Sequence, residues 1–230
     1  MLDALAFTSP SVAVSTAFGL TDELLDRHPV LRLLPHALRD STRREGRLCA
    51  CESGDNLFAT SPVVGFMLSG TLATFDDRGL ACVSLLGPGA TFGWETAFAP
   101  ASGGRRLALL DSCWIETPVR GLRDAMGAAW LEHVFARHAL DRIQRLQADS
   151  ACHAVHPVTR RAANLIRRLY QAAGPDVRTT QSAIAEAMGV QRTSVNAAVK
   201  ALERAGAVSL RRGRIQILCH ERLAGAACGC

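Results

Sequence analysis

Residues 179–218 read TTQSAIAEAMGVQRTSVNAAVKALERAGAVSLRRGRIQIL, and this segment restricts the fold more narrowly than any other part of the chain. Ile184, Ala185 and Met188 recur on one face of a helix, and Gly189 falls where a sharp turn needs a positive φ. Val195 and Val199 then carry the apolar face of a second helix, and a basic hairpin with Arg211, Arg212 and Arg214 around Gly213 follows. The spacing predicts a helix-turn-helix with a short wing. The second helix presents Gln191, Arg192, Thr193, Ser194 and Asn196 near its N-terminus, where such motifs meet base edges in the major groove. An ordinary helical hairpin with a polar outer face would explain the periodicity alone. It does not explain why a small residue at the crossing, a glycine turn and a basic hairpin all fall in register.

Charge follows the same division. From Pro157 onward there are twelve Arg plus Lys against four acids, a balance of +8; the rest carries fourteen basic against seventeen acidic residues, −3, which together give the net +5. A polyanion-binding module attached to a near-neutral body is the simplest physical account, because each neutralised phosphate releases condensed counterions. A solvated arginine-rich surface gives the same count, so charge supports the motif and does not replace it.

At 230 residues and 48% hydrophobic, the chain has enough material for one medium core and one small one, hence two domains. The start carries Asp3 and no basic run, which speaks against a secretory signal, and no run of eighteen apolar residues offers a membrane span. Eight cysteines without such a signal read as cytosolic thiols, so a cytoplasmic protein is expected. Aromatics are only 5%, which gives little support to base stacking on single strands.

Between Glu52 and Val119 the texture becomes short alternating segments broken by glycine. Val64, Phe66 and Leu68 alternate, and Asp76-Asp77-Arg78-Gly79 is a hairpin signal before Ala81, Val83 and Leu85. A further hairpin is expected from Arg106–Leu110 and Cys113–Thr117, turning at Asp111-Ser112. Ahead of this antiparallel β domain, Asp22 to Arg39 reads as helix in pieces, interrupted at Pro29 and Pro35. From Gly121 to Ala151 one long helix is predicted, with Leu131, Phe135, Ala139, Ile143 and Leu146 forming an apolar stripe and Trp130 and Val134 widening it. Such a stripe needs a cover. The β domain can take part of it, and the same helix of a second subunit the rest.

This order of parts resembles the Crp/Fnr family of bacterial transcription regulators over nearly the whole chain. The resemblance rests on Gly54-Asp55, Leu68-Ser69-Gly70 and Leu86-Gly87-Pro88-Gly89-Ala90-Thr91-Phe92-Gly93, then the long helix. Its strongest part is Ile184-Ala185, Gly189-Val190, Arg192, Val195 and Arg212-Gly213-Arg214-Ile215. The resemblance implies an α+β protein: an antiparallel β-roll of the cyclic-nucleotide-binding type at 1–120, a dimerisation helix and hinge at 121–156, and a winged helix-turn-helix at 157–230. It also implies a homodimer on a palindromic promoter site, with double-stranded DNA, a second copy of the chain and RNA polymerase as partners. By position Arg192, Thr193 and Asn196 would face bases, Thr180, Gln181, Ser194 and Lys200 phosphates, and Arg211, Arg212 and Arg214 the wing contacts. Many members have Glu where this chain has Thr193 and Arg where it has Ala197, so its operator should differ from theirs.

Members that bind cyclic AMP use a Gly-Glu pair for the ribose and an Arg-Ser pair for the cyclic phosphate. Here Trp94 follows Gly93 and Leu107 follows Arg106. On a strand the displaced Glu95 would point to the opposite face. Gly93, Glu95, Arg105 and Arg106 remain the ligand-binding candidates, and cyclic AMP is not expected to be the signal. Cysteine offers another sensory chemistry through Cys49-Ala50-Cys51, Cys152 beside His153 and His156, and the terminal Cys228-Gly229-Cys230. No four of them have a recognisable zinc or cluster spacing, and no cofactor is assigned. No nucleophile elbow, phosphate loop or His-Glu-x-x-His pattern occurs, so no catalytic residue is assigned and an enzyme is not expected. The competing reading is a redox-, metal- or small-ligand-responsive sensor that works mainly through protein contacts.

Overall fold

The computed structural model describes residues 20–58, 62–98 and 104–229, together with the backbone of Ala13–Ser15. The chain opens with β1 (Ala13–Ser15) and three short helices, α1 (Asp22–Asp26), α2 (Pro29–Arg32) and α3 (His36–Glu45). The two prolines open helices rather than break one: Pro29 is the first residue of α2 and Pro35 caps α3, places where no backbone N–H is needed. His28 is fully buried and caps α2, its Nδ1 accepting from the Val30 N–H at 3.2 Å. Burial pushes its pKa down, so the ring stays neutral.

Eight strands then build a roll: β2 (Arg47–Cys51), β3 (Asn56–Phe58), β4 (Val63–Ser69), β5 (Leu72–Phe75), β6 (Cys82–Leu86), β7 (Thr91–Phe92), β8 (Arg105–Ala108) and β9 (Ser112–Pro118). They form two antiparallel sheets ordered β1-β2-β9-β4-β7 and β3-β8-β5-β6. Val64, Gly65, Phe66 and Met67 are all buried, because β4 has the roll's interior on one face and packed helices on the other. The hairpin expected at Asp76–Gly79 joins β5 to β6, where the Asp76 carboxylate accepts from the Leu80 and Ala81 N–H groups at 2.6 and 2.9 Å. Cys49 and Cys51 do share one face of β2 and are buried beside Trp114.

The hairpin expected between Arg106–Leu110 and Cys113–Thr117 does not form. β8 pairs with β3 and β5, whereas β9 pairs with β2 and β4. Local sequence suggests a turn, but the buried pair Leu109-Leu110 carries the chain from one sheet to the other. Ser112 secures the crossing, its Oγ accepting from the Thr71 N–H at 3.0 Å and donating to the Leu110 carbonyl at 2.7 Å.

The single long helix also needs correction. α4 (Val119–Met126) and α5 (Ala128–Val155) are separated at Gly127, whose φ of 80° and ψ of 167° no helix contains. Glycine adopts that conformation without a Cβ clash. At 28 residues α5 is about 42 Å long. Its apolar stripe divides between two uses. Leu131 is buried in the chain's own core with Leu122 and Trp94, and Phe135 rests on Phe98 with ring centroids 4.9 Å apart. Ala139 and Leu146 are half-buried, while Ile143 at 49% and Leu140 at 61% exposure face solvent. Leu131, expected at a dimer interface, is therefore buried within the subunit, and Phe135 is half-buried against Phe98. Leu140, not singled out from sequence, is open.

His156 and Pro157 end α5, with His156 extended as a residue before proline should be. The C-terminal unit follows as α6 (Val158–Ala173), β10 (Asp176–Val177), α7 (Gln181–Met188), α8 (Arg192–Arg204), β11 (Val208–Arg211), β12 (Arg214–Ile217) and α9 (His220–Ala226), its three strands ordered β10-β12-β11. α6 is the amphipathic platform beneath α8 and α9, burying Ala162, Ala163, Leu165, Ile166 and Leu169. The buried cluster runs on into the roll through Phe75, Leu107 and Leu109. Among the described residues no helix is long and apolar enough to cross a membrane.

Candidate nucleic-acid interface

α7 and α8 are set by local chemistry that the sequence carries openly. Thr180 caps α7, its Oγ1 accepting from the Ala183 N–H at 3.1 Å. Gly189 ends the helix at φ 62°, ψ 37°, and the next N–H, Val190, bonds back to the Ala185 carbonyl at 3.0 Å. An L-residue with a Cβ is strained at that φ, so glycine there sets the angle between the helices. Ile184, Ala185 and Met188 are buried, as are Val195, Ala198, Val199 and Leu202 on α8.

Burying that face of α8 turns Arg192, Thr193, Asn196, Ala197 and Lys200 outward. Gln191, Arg192, Thr193 and Lys200 are exposed; Ser194 and Asn196 are half-buried. Gln191 occupies the N-cap in an extended conformation without a side-chain cap; its carbonyl accepts from the Ser194 N–H at 3.0 Å, so the Arg192 and Thr193 N–H groups are left for an outside acceptor. Gln181 is half-buried in the first turn of α7. Thr180 is exposed with its hydroxyl already accepting the capping bond.

The wing is β11 and β12, with Arg211 opposite Arg214 and Arg212-Gly213 at the tip. Glu203 of α8 anchors it by accepting from the Leu210 N–H at 2.9 Å. Arg211 and Arg212 are exposed, but Arg214 lies 3.2 Å from Asp176 on the neighbouring β10. The sequence placed no acid near this hairpin, because Asp176 is far away in the chain and reaches it only by sheet pairing. Arg178 shares Asp176 at 3.6 Å and is exposed. The structure therefore makes two wing arginines available to a polyanion and gives the third an internal partner. Arg211→Ala with Arg212→Ala should reduce the salt slope of DNA binding by about 2, and adding Arg214→Ala should change it little further. Binding isotherms at several salt concentrations test this; a fall of about 3 for the triple variant would put Arg214 on the phosphates as well.

The ligand candidates separate. Gly93 begins a 3-10 turn, Trp94–Ala97, rather than continuing a strand, so Glu95 does not turn away. It lines a cavity of about 180 Å³ together with Arg106, His138, Arg142 and Thr74. The backbone at Glu95 is not extended, so the strand alternation expected to turn its side chain to the opposite face does not operate. Glu95 lies 3.7 Å from Arg142 of α5, and Arg106 stacks over the Phe92 ring at 4.4 Å. Burial lowers the pKa of both Arg106 and His138. Three buried polar atoms around this cavity, Thr74 Oγ1, Glu95 Oε2 and Arg106 Nε, have no hydrogen-bond partner. Arg105 points elsewhere. It bonds Asn56 at 2.9 Å, stacks on Phe75 and forms an ion pair with Glu186 of α7. Gly93 shapes the turn and does not line the cavity. Of the terminal Cys-x-Cys pair, Cys230 lies outside the described residues.

Comparison with known proteins follows the same division. A family model described as a Crp-like helix-turn-helix domain matches residues 160–226. No curated protein matches the chain by sequence. Among solved structures, a putative transcriptional regulator of the Crp/Fnr family from Eubacterium rectale aligns at a TM-score of 0.66 and 16% identity, over 87% of this chain and 98% of the other. FixK2 from Bradyrhizobium japonicum aligns at 0.63 and 13% identity, covering 80% and 98%. A CRP/FNR-family transcriptional regulator from Thermus thermophilus aligns at 0.61 and 20% identity, covering 78% and 97%. Residues 160–226 thus belong to the Crp-like helix-turn-helix domains, and the chain as a whole has the fold of the Crp/Fnr regulators.

Proposed function

We propose that this protein is a sequence-specific DNA-binding transcription regulator acting as a homodimer on a two-fold-related promoter site. The observation that carries the reading is the outward face of α8, where Arg192, Thr193, Asn196 and Lys200 stand clear of the core beside a basic wing. Gln191, Arg192, Thr193 and Asn196 are assigned to base edges; Ser194, Lys200, Arg211 and Arg212 are assigned to phosphates. The Thr180 and Gln181 end of α7 abuts the backbone through its N-terminal N–H groups. Residues 1–120 serve as the sensor unit, 121–156 as dimer helix and hinge, and 157–230 as the DNA-binding unit. Leu140 and Ile143 supply the subunit contact, and RNA polymerase is the partner through which a bound dimer acts. Fluorescence anisotropy with a random duplex and with sites selected from a random pool tests the function: binding that falls steeply with salt and gives a selected two-fold motif supports it. Salt-independent binding, or no enrichment of any motif, rejects it.

Cyclic AMP is not the signal in this reading. The cavity of about 180 Å³ is smaller than the roughly 300 Å³ at which ligand pockets begin. The residue after Arg106 is the buried Leu107, which offers the cyclic phosphate no hydroxyl. Glu95 restores a carboxylate to the site and the unpartnered Thr74 Oγ1 a hydroxyl, so the case rests on size. Admitting the nucleotide requires opening a packed cavity, which costs contacts on its lining. Titration calorimetry at micromolar nucleotide should therefore register no heat, and DNA affinity should be the same with and without it. A micromolar Kd with a matching gain in DNA affinity would reverse this conclusion. The three unpartnered polar atoms at the cavity favour, as a second reading, a smaller polar effector.

A further inference from the structure

Two cysteines that the DNA-binding reading does not use meet across the hinge. Cys152 lies in the last turn of α5, and Cys228 lies two residues beyond α9, 76 positions later. Their sulfurs are 3.4 Å apart, and the residues are 6% and 2% exposed. Cys228 belongs to the C-terminal unit, where its thiol donates to the Arg160 carbonyl at 3.8 Å. Between the two stand His156 and Pro157, the junction of α5 and α6, so a bond joining these sulfurs would span the hinge. A disulfide has about 2.05 Å between sulfurs, so the pair at 3.4 Å must approach by about 1.4 Å.

A cleft of about 60 Å³ opens on Cys152, and His153, Arg161, Arg168 and Asp149 also line it. Arg161 donates through Nη2 to the Met188 carbonyl at 2.8 Å, yet its buried Nε has no partner. Arg161 and Arg168 put positive charge on the cleft that Cys152 opens into. A water's share of liquid volume is about 30 Å³, so the cleft admits a molecule the size of hydrogen peroxide and excludes bulky oxidants. Cys82 lines the same cleft, but its thiol donates to the Ser84 carbonyl at 3.5 Å. Cys49 and Cys51 are buried in the roll beside Trp114 and do not line this cleft.

We propose that Cys152 is a peroxide-reactive thiol and Cys228 its resolving partner, and that their disulfide fixes the junction between α5 and the C-terminal unit. The Cys152 thiolate attacks one peroxide oxygen: the S–O bond forms, the O–O bond breaks, and the departing hydroxide takes up the thiol proton as water. Cys152 is then a sulfenic acid. The Cys228 sulfur attacks the Cys152 sulfur, the S–S bond forms, and the sulfenic hydroxyl leaves with the Cys228 proton as a second water. Two thiols lose two electrons and two hydrogens, and one peroxide becomes two waters. This chemistry stands whether or not the C-terminal unit binds DNA.

The test uses the full, reduced chain treated with stoichiometric hydrogen peroxide, then denatured, alkylated and mapped by mass spectrometry. Two of the eight thiols should be lost to alkylation, with one peptide pair joining Cys152 to Cys228, two hydrogens lighter than its parts and separated again by dithiothreitol. Cys228→Ser should accumulate a dimedone-trapped sulfenic acid at Cys152, and Cys230→Ser should keep the linkage. All eight thiols remaining alkylatable, or a linkage between any other pair, would overturn the proposal. So would a stoichiometric metal ion in the purified protein that Cys152→Ser or Cys228→Ser releases. Because the first readout is on the unaltered protein, a misfolded variant does not obscure the outcome.

Discussion

Aspartate at both Leu140 and Ile143 should leave a folded monomer that binds a two-fold operator about 10²–10⁴-fold more weakly than the parent. The two side chains are large apolar groups in the middle of α5 that face solvent, at 61% and 49% exposure, three residues apart on one face; the exposed Val155 lies at the hinge end of the helix. A pair of subunits joined there sets two recognition helices about 34 Å apart, one turn of duplex, and makes the second half-site contact intramolecular. Losing the link removes that effective concentration, and avidity of this size goes with it. Sedimentation velocity and operator titration measure the two effects together. A parent protein already monomeric at micromolar concentration, or a double variant that remains dimeric, defeats the assignment. Phe135 is a poor probe for the same question. Its ring rests on Phe98 inside the subunit, so an aspartate there damages the chain's own packing before it tests any interface.

Arg192→Ala should cost about 1–3 kcal/mol at a specific site, roughly a 5- to 160-fold loss, if the guanidinium reads a guanine edge. The residue is exposed at the first position of α8 and points away from the buried Val195 and Val199. Arg192→Lys separates the two roles open to it. A lysine keeps the charge for a phosphate but cannot make the bidentate contact, so base reading predicts that lysine rescues random-duplex binding and not specific binding. Equal affinity of parent and alanine variant for specific and random duplex alike would remove Arg192 from the interface.

Much of the C-terminal unit was legible in the linear chain because its determinants are short-range. A glycine in the left-handed region and apolar residues at helical spacing act over one or two turns, and each stands where the spacing placed it; the Thr180 cap, equally local, was not anticipated. The hairpin at Asp76–Gly79 was legible for the same reason, since its carboxylate bonds N–H groups only four and five residues ahead. The helix break at Gly127 was a missed local signal. An isolated glycine inside a periodic run is often tolerated, and nothing nearby distinguished this one.

The sequence by itself determined the helix-turn-helix and its glycine turn, the hairpin at Asp76–Gly79, and which end of the molecule is basic, because neighbours along the chain settle those properties. Tertiary structure alone decided which sheet receives β8 and which β9, and which apolar residues of α5 are spent inside the subunit. It also decided that Glu95 turns toward Arg106, that Asp176 claims Arg214, and that Cys152 meets Cys228. Each of these joins side chains or strands that local periodicity cannot relate, and packing brings them together only when separate elements bury a common surface.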